Sequence, residues 1–302
     1  MANVLSKGSL FPEELTNEMF NNVKGKSSLA RLSGQSPIPF NGTTMFTFNF
    51  DKEIDIIAEN GAKSNGGVSI APITIVPIKV EYGTRISDEF KFANESVQLN
   101  YLKAFAEGFA RKVAKGIDLM AFHGVNPRTM AASTIIGTNS FASKVTQAAT
   151  EDTTDANGTV EAAIALVQGN EEDVTGMAMA PAFRSSLAAQ VRTDGTPLFP
   201  ELGWGAAPGT IKGLPVDVNS TVSAQIGSPN TNKNKAILGN FRDYFRWGFA
   251  KELPIEVIEY GNPDNDATAG DLKGHNQVYL RGEAYIGWGI LKPEAFARIV
   301  AA

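Results

Sequence analysis

The chain has 302 residues, with 27 Lys and Arg against 32 Asp and Glu, for a formal net charge of -5. Hydrophobic residues at 43% and charged residues at 20% exclude a mainly disordered polypeptide, and the lack of cysteine excludes disulfides, thiolate metal sites and a cysteine nucleophile. The negative balance argues against a protein whose main task is to grip nucleic acid through a basic face, and it suits one that must stay soluble when abundant.

Residues 1–36 are polar and rich in Gly and Ser. Pro12 opens a short amphipathic piece over 12–23, with Leu15, Met19 and Val23 at helical spacing. This stretch reads either as a frayed terminus or as an arm lying along another subunit. Nothing near it has the apolar run of a signal peptide, and no segment is long enough to span a bilayer, so a soluble intracellular product is expected.

From 43 to 50, Phe46, Phe48 and Phe50 alternate with Met45, Thr47 and Asn49, the period of a strand with one aromatic face. After DKEIDIIAEN and a Gly-rich tip, GAKSNGGVS, the chain returns through Ile73, Ile75, Ile78, Val80 and Tyr82. Pro72 and Pro77 cannot donate to a ladder, so the returning strand is an edge or has an irregular middle. Residues 45–86 thus predict a long two-stranded ribbon. Such a ribbon is not stable alone in water, so it packs on its own domain or is held by another subunit.

The spacing predicts a helix over 94–122, with Leu99, Leu102, Ala106, Phe109, Val113, Ile117 and Met120 on one face. Asn94 is its N-cap, Glu95 lies in its first turn, and Gly124 followed by Pro127 stops it. Residues 129–158 are rich in Ala, Ser and Thr and end in a polar loop, EDTTDANGT. Helices over 159–169 and 181–191 flank an apolar strand at 177–180, and PVDVNST alternates as a short strand. From 236 the pattern is β again, through AILGNF, FRWGFA, PIEVIEY and QVYLRGEAYIGWGIL, with a polar loop at 261–276. The order predicts an α+β protein whose sheet gathers sequence-distant segments.

Chemistry has little material. Of the two histidines, His123 falls in the last turn of the long helix, where a cation suits the dipole, and His275 lies in a polar loop and is expected to be solvated. In PDNDATAGD, Asp264 and Asp266 match the first ligands of a calcium loop, but the required Gly falls on Ala269 and the closing Glu on His275. DTTDANG fails likewise, since the first ligand would be Thr153 and the closing Glu Ile164. GWGAAPG at 203–209 lacks the order of a phosphate loop, and Trp204, Trp247 and Trp288 read as core or interface anchors. No catalytic, cofactor-binding or metal-ligating set emerges.

Four stretches in colinear order carry a resemblance: SLFPEELTNEMFNNVKGKSSLARLSG, the ribbon at 45–86, NESVQLNYLKAFAEGFARKVAKGIDLMAFHGVNP, and the pair MAMAPAFRSSLAAQVRTDGTPLFP…IKGLPVDV and AILGNFRDYFRWGF…VYLRGEAYIGWGILKPEAFARIV. From about residue 8 to its end the chain resembles the major capsid proteins of tailed bacteriophages with the Hong Kong 97-like fold. The resemblance implies an N-terminal arm at 1–36. Residues 37–125 become the extended loop (45–86) and a peripheral domain with its spine helix (94–122), and 126–239 the axial domain. Peripheral strands follow at 240–287, and the segment 288–302 packs back on the axial domain.

The resemblance further implies hexamers and pentamers of an icosahedral shell around double-stranded DNA, in a virion assembled from subunits made in the host bacterial cytoplasm. No enzyme activity, cofactor or membrane contact is implied. Expected partners are further copies of the chain, a portal, where present a decoration protein, and packaged DNA held weakly. The family's type member begins with a long scaffolding segment that a protease removes. Here the arm starts almost at Met1, so the resemblance implies a separate scaffolding protein, or assembly without one, and no large N-terminal cleavage. Interface contacts are assigned to Glu59, Lys63, Gly66 and Gly67 at the ribbon tip, to Asn262, Asp264, Asn265 and Asp266 in the polar loop, and to Phe11, Leu15 and Met19 in the arm. The type member also links a Lys of the extended loop to an Asn of a neighbour. Lys63 and Asn262 or Asn265 lie in the corresponding loops, but no local motif marks them, so a solvated Lys63 or a plain salt bridge is preferred. The alternatives are an encapsulin-type bacterial compartment of the same fold and, from another class, a soluble enzyme or sugar-binding protein.

Overall fold

The computed structural model describes residues 26–251 and 255–302. The chain first forms a short helix, α1 (Ser28–Leu32), capped by the Ser27 hydroxyl, which accepts from the Ala30 amide. Leu29 on this helix is fully buried. The end of the expected arm is therefore core of its own subunit, because an apolar side chain in SSLARL finds the interior before it finds a neighbour. The helical piece expected at 12–23 lies outside the described residues.

β1 (Thr43–Phe50) pairs antiparallel with β2 (Val68–Ile75), from Thr43 opposite Ile75 to Phe50 opposite Val68. β3 (Ile78–Ser87) does not continue that ladder; it joins another sheet. The ribbon expected over 45–86 is thus confined to 43–75, and the chain changes sheets at Pro77, whose missing N–H cannot extend the pairing. After a 3-10 turn (Asp88–Phe92) comes α2 (Glu95–His123), with 29 residues. At 1.5 Å per residue it is about 43 Å long. The Asn94 side chain accepts from the Val97 amide at 3.0 Å, and Gly124, at φ 70°, ends the helix in the left-handed conformation.

The remainder alternates short elements: α3 (Phe141–Lys144), β4 (Ala148–Thr150), α4 (Ala156–Gln168), β5 (Gly176–Met179), α5 (Pro181–Ala188), β6 (Thr210–Ile211), β7 (Leu214–Val218), β8 (Asn234–Gly239), α6 (Phe241–Tyr244), β9 (Phe245–Lys251), β10 (Ile255–Ile258), β11 (Gln277–Ile290) and β12 (Phe296–Val300). α4 starts before the expected 159 because Asp155 Oδ1 accepts from the Gly158 amide at 2.7 Å, drawing the Asn-Gly pair into the first turn.

Among the described residues there are three sheets. The ribbon is one. In the second, β11 runs between β3 and β10 and also pairs β9. The third has the order β4-β12-β8-β5-β7-β6, so residues 296–300 form an inner strand between β4 and β8.

Two cores fill the space between layers. Ala106, Phe109, Val113, Ile117 and Phe122 of α2 pack with Phe245, Trp247 and Trp288. The Phe141 ring lies within 5.1–5.8 Å of the Phe122, Phe241, Phe245 and Phe296 rings. In the second core, Ala163 and Val167 of α4 and Phe183 and Leu187 of α5 cover Met177, Met179, Leu238 and Ile299 of the six-stranded sheet. Full burial of one such large apolar side chain contributes roughly 1.5–3 kcal/mol.

Candidate functional site

The ribbon has two unlike faces. On one, Ile75 is buried against Gly287 and Gly289 of β11, where an added Cβ would approach it to 3.1 and 2.8 Å. The glycines let the root of the ribbon seat on the sheet. On the other face, residues paired across the strands lie side by side: Phe46 with Pro72, Phe48 with Ile70 and Phe50 with Val68. There Phe46 is 62%, Phe48 57%, Phe50 75%, Ile70 55% and Val68 53% exposed. A contiguous apolar stripe left to solvent marks a protein-binding surface, since a monomer gains nothing from displaying it.

Beyond the stripe, residues 51–67 form an open loop. Asp51 Oδ1 accepts from the Gly67 amide at 2.6 Å, Lys52 Nζ donates to Asn65 O at 2.9 Å, and the Gly61 amide donates to Ala58 O at 2.8 Å. Glu59, Lys63, Gly66 and Gly67 are all exposed at this end. An added Cβ at Gly67 would lie 2.7 Å from the Asp51 carboxylate, which would have to shift to admit it.

The polar loop 261–276 folds around one residue that the sequence did not single out. Arg85 on β3 donates to Asp264 through Nη2 (2.6 Å) and Nε (2.9 Å), to Asn262 Oδ1 (2.7 Å), to the Ala269 and Gly270 carbonyls, and to Gln277 Oε1 (3.2 Å). The guanidinium beside it holds the Asp264 carboxyl down to about 2. Asn262 is engaged at both ends, since its Nδ2 also donates to Asp266 O at 3.0 Å. Asp266 Oδ1 accepts from the Thr268 and Ala269 amides, and Asn265 sits at φ 52° in the turn. Asn262, Asp264, Asn265 and Asp266 thus share one loop, with Asn262 and Asp264 tied to Arg85. Among the described residues, no hydrogen bond or ion pair joins them to the ribbon tip. Phe11, Leu15 and Met19 lie outside the described residues.

A second cluster ties three segments at the C-terminal half of α2. Asp118, fully buried, accepts from the Ser27 hydroxyl (2.6 Å), the Ser28 and Leu29 amides, Asn219 Nδ2 (3.2 Å) and the Thr221 hydroxyl (3.0 Å). Burial pushes its carboxyl up to about 6, against the pull of these donors. The adjoining Asp217 accepts from the Ser28 hydroxyl and pairs with Arg31. An acid inside the apolar run GIDLMAF was the readable signal for this junction. His123 is a correction. Its Nε2 donates to Thr221 O at 2.8 Å, and burial lowers its pKa, so it is a neutral donor and not a cation on the helix dipole. His275 is exposed, as expected.

Trp247 and Trp288 are core residues, whereas Trp204 is fully exposed at φ 52°. Its loop is clamped by the buried Arg184, which donates to the Leu202 and Ala206 carbonyls. Among the described residues no group of three or more metal-ligating side chains is gathered, and no helix is long and apolar enough to cross a membrane.

This architecture is that of phage capsid subunits with the Hong Kong 97-like fold. A solved structure from Mycobacterium phage Ogopogo is 33% identical, with 92% of each chain covered and a TM-score of 0.77. One from Gordonia phage Cozz is 23% identical over 91% of this chain and 87% of that one, with a TM-score of 0.75. The capsid of an empty GTA particle shares the fold at 14% identity and a TM-score of 0.60, over 92% of this chain and 90% of that one. No curated protein matches the sequence. The model of the phage capsid family matches residues 7–301, and the chain belongs to that family. It is a major capsid protein, a subunit of a virion shell built from many copies, and the encapsulin alternative is not favoured.

Proposed function

We propose that the subunit closes into hexamers and pentamers of an icosahedral shell around double-stranded DNA by laying the outer face of its ribbon on the next copy of the chain. The observation that carries this reading is the stripe of Phe46, Phe48, Phe50, Val68 and Ile70, more than half exposed on one face while Ile75, at the root of the opposite face, is seated on β11. Covering one such side chain contributes roughly 1.5–3 kcal/mol, so a few of them, repeated around a ring, give firm closure from weak single contacts.

In this reading Glu59, Lys63, Gly66 and Gly67 meet the neighbour at the tip, and the loop with Asn262, Asp264, Asn265 and Asp266 meets copies from adjoining rings. Phe11, Leu15 and Met19 act as arm contacts. In the same reading 37–125 and 240–287 make up the peripheral domain, and 126–239 with 288–302 the axial domain. A scaffolding protein and a portal are the expected partners. The net charge of -5 supports a weak hold on packaged DNA, and the role is structural, without a reaction. Subunits assemble in the host cytoplasm.

The test is a Phe46→Ser, Phe48→Ser, Phe50→Ser variant compared with wild type by size-exclusion chromatography, electron microscopy and near-UV circular dichroism. A folded subunit that forms no shells is expected. Shells of normal size from the folded variant would overturn the proposal.

A further inference from the structure

A cavity of about 440 Å³ opens beside the C-terminal end of α2, between α3, the loop before β8, and strands β4 and β12. His123, Ile226, Lys233, Asn234, Arg298 and Val300 are among its lining residues, and no carboxylate is. Its polar groups are unevenly satisfied. The Asn232 side-chain oxygen is taken by the Asn234 amide at 2.9 Å, and the Thr231 hydroxyl donates to Ile226 O at 3.1 Å. His123 spends its N–H on Thr221 and stays neutral.

The cations are the opposite case. Arg298 enters from β12, and its Nη1 donates only to Asn234 Oδ1, at 3.3 Å. Its Nε is sealed from solvent and has no acceptor. Burial lowers the guanidinium's pKa, and no opposing charge raises it. Lys233 lines the same cavity, and among the described residues no ion pair reaches either side chain. Arg298 is half-buried, and with its Nε shielded and no carboxylate in the lining, a negative group supplied from outside would complete its partners. A planar donor fork beside an ammonium suits an oxyanion.

We propose that this cavity is a binding site for a phosphate group, seated between Arg298 and Lys233, with Ile226 and Val300 beside whatever the phosphate carries. The same chemistry is offered by inorganic phosphate and by a nucleotide. The volume admits either, since small-molecule sites begin at about 300 Å³. The inference does not depend on how the ribbon docks.

The test is calorimetric titration of the full-length protein with inorganic phosphate and, separately, with adenosine monophosphate, at ionic strength held constant with chloride. Saturable binding of one ligand per subunit is expected, at least tenfold weaker in Arg298→Gln. Tighter binding of the nucleotide assigns the apolar lining to its nucleoside, and equal affinities assign the site to phosphate alone. If Arg298→Gln fails to fold, Lys233→Gln, at an exposed position, reads the same loss. No saturable binding by wild type, or unchanged affinity in the folded variants, overturns the proposal.

Discussion

Arg85 and Asp264, 179 residues apart, form a two-pronged ion pair that closes the polar loop back onto the sheet. The fork is planar and rigid, and it serves two further carbonyls that a single ammonium could not reach together. Arg85→Lys is therefore expected to loosen the loop nearly as much as Arg85→Ala, read as faster amide hydrogen exchange over 262–272. Protection equal to wild type in Arg85→Lys would contradict this account.

The same pair has an acid limb. The folded carboxyl of Asp264 titrates at about 2, below its ordinary 3.8, so its stabilising effect is present above the ordinary value. It is lost as pH falls through the folded one. Loop protection is expected to decline between about pH 4 and pH 2 in wild type. Asp264→Asn should start from lower protection and show no such decline.

Asp118 has the opposite sign. Its folded pKa of about 6 lies above 3.8, so between these values the folded state holds a proton that the unfolded state has released. Stability is expected to fall as pH rises across this window, by about 3 kcal/mol in total, and to stay level above it. Asp118→Asn removes the slope. It also turns an amide N–H toward the Ser28 or Leu29 amide, at a cost of roughly 1–3 kcal/mol. Urea denaturation of unassembled subunits at pH 4 to 7 measures both effects, and a slope retained in Asp118→Asn rules the residue out as its source.

Gly282 on β11 faces Phe109 of α2, where an added Cβ would lie 2.9 Å from the ring. Gly282→Ala is expected to destabilise the subunit by about 1–3 kcal/mol through overpacking. Phe109→Leu, costly alone, should recover part of that loss in the double variant. Additive effects of the two changes would show that helix and strand do not meet there.

The ribbon tip supplies a test of assembly. Removing residues 60–68 deletes Lys63, Gly66, Gly67 and the Asp51–Gly67 turn but no residue of either core. A folded subunit that cannot form shells is expected, measured by sedimentation and electron microscopy. Normal particles from this deletion would remove the tip from the assembly contacts.

Local chemistry made much of the chain legible before folding. Asn94 and Gly124 bound the long helix because a side-chain acceptor and a left-handed turn are needed where its ladder runs out. The alternating Phe46, Phe48 and Phe50 declared one apolar face of a strand for the same kind of reason. The colinear phrases also carried the family. Tertiary structure alone decided what those faces meet. Pro77 permits a break in the ribbon, but only the pairing of β3 with β11 places it there. Leu29 is unremarkable in a polar arm until Asp118 draws the Ser27–Leu29 backbone into the core. Arg85 looks like any strand arginine until a loop 179 residues away closes on it. Caps and periodicity act over a few residues and leave their mark in order along the chain. Hydrogen bonds to a buried charge are made across the fold, between residues whose spacing in the sequence carries no trace of the contact.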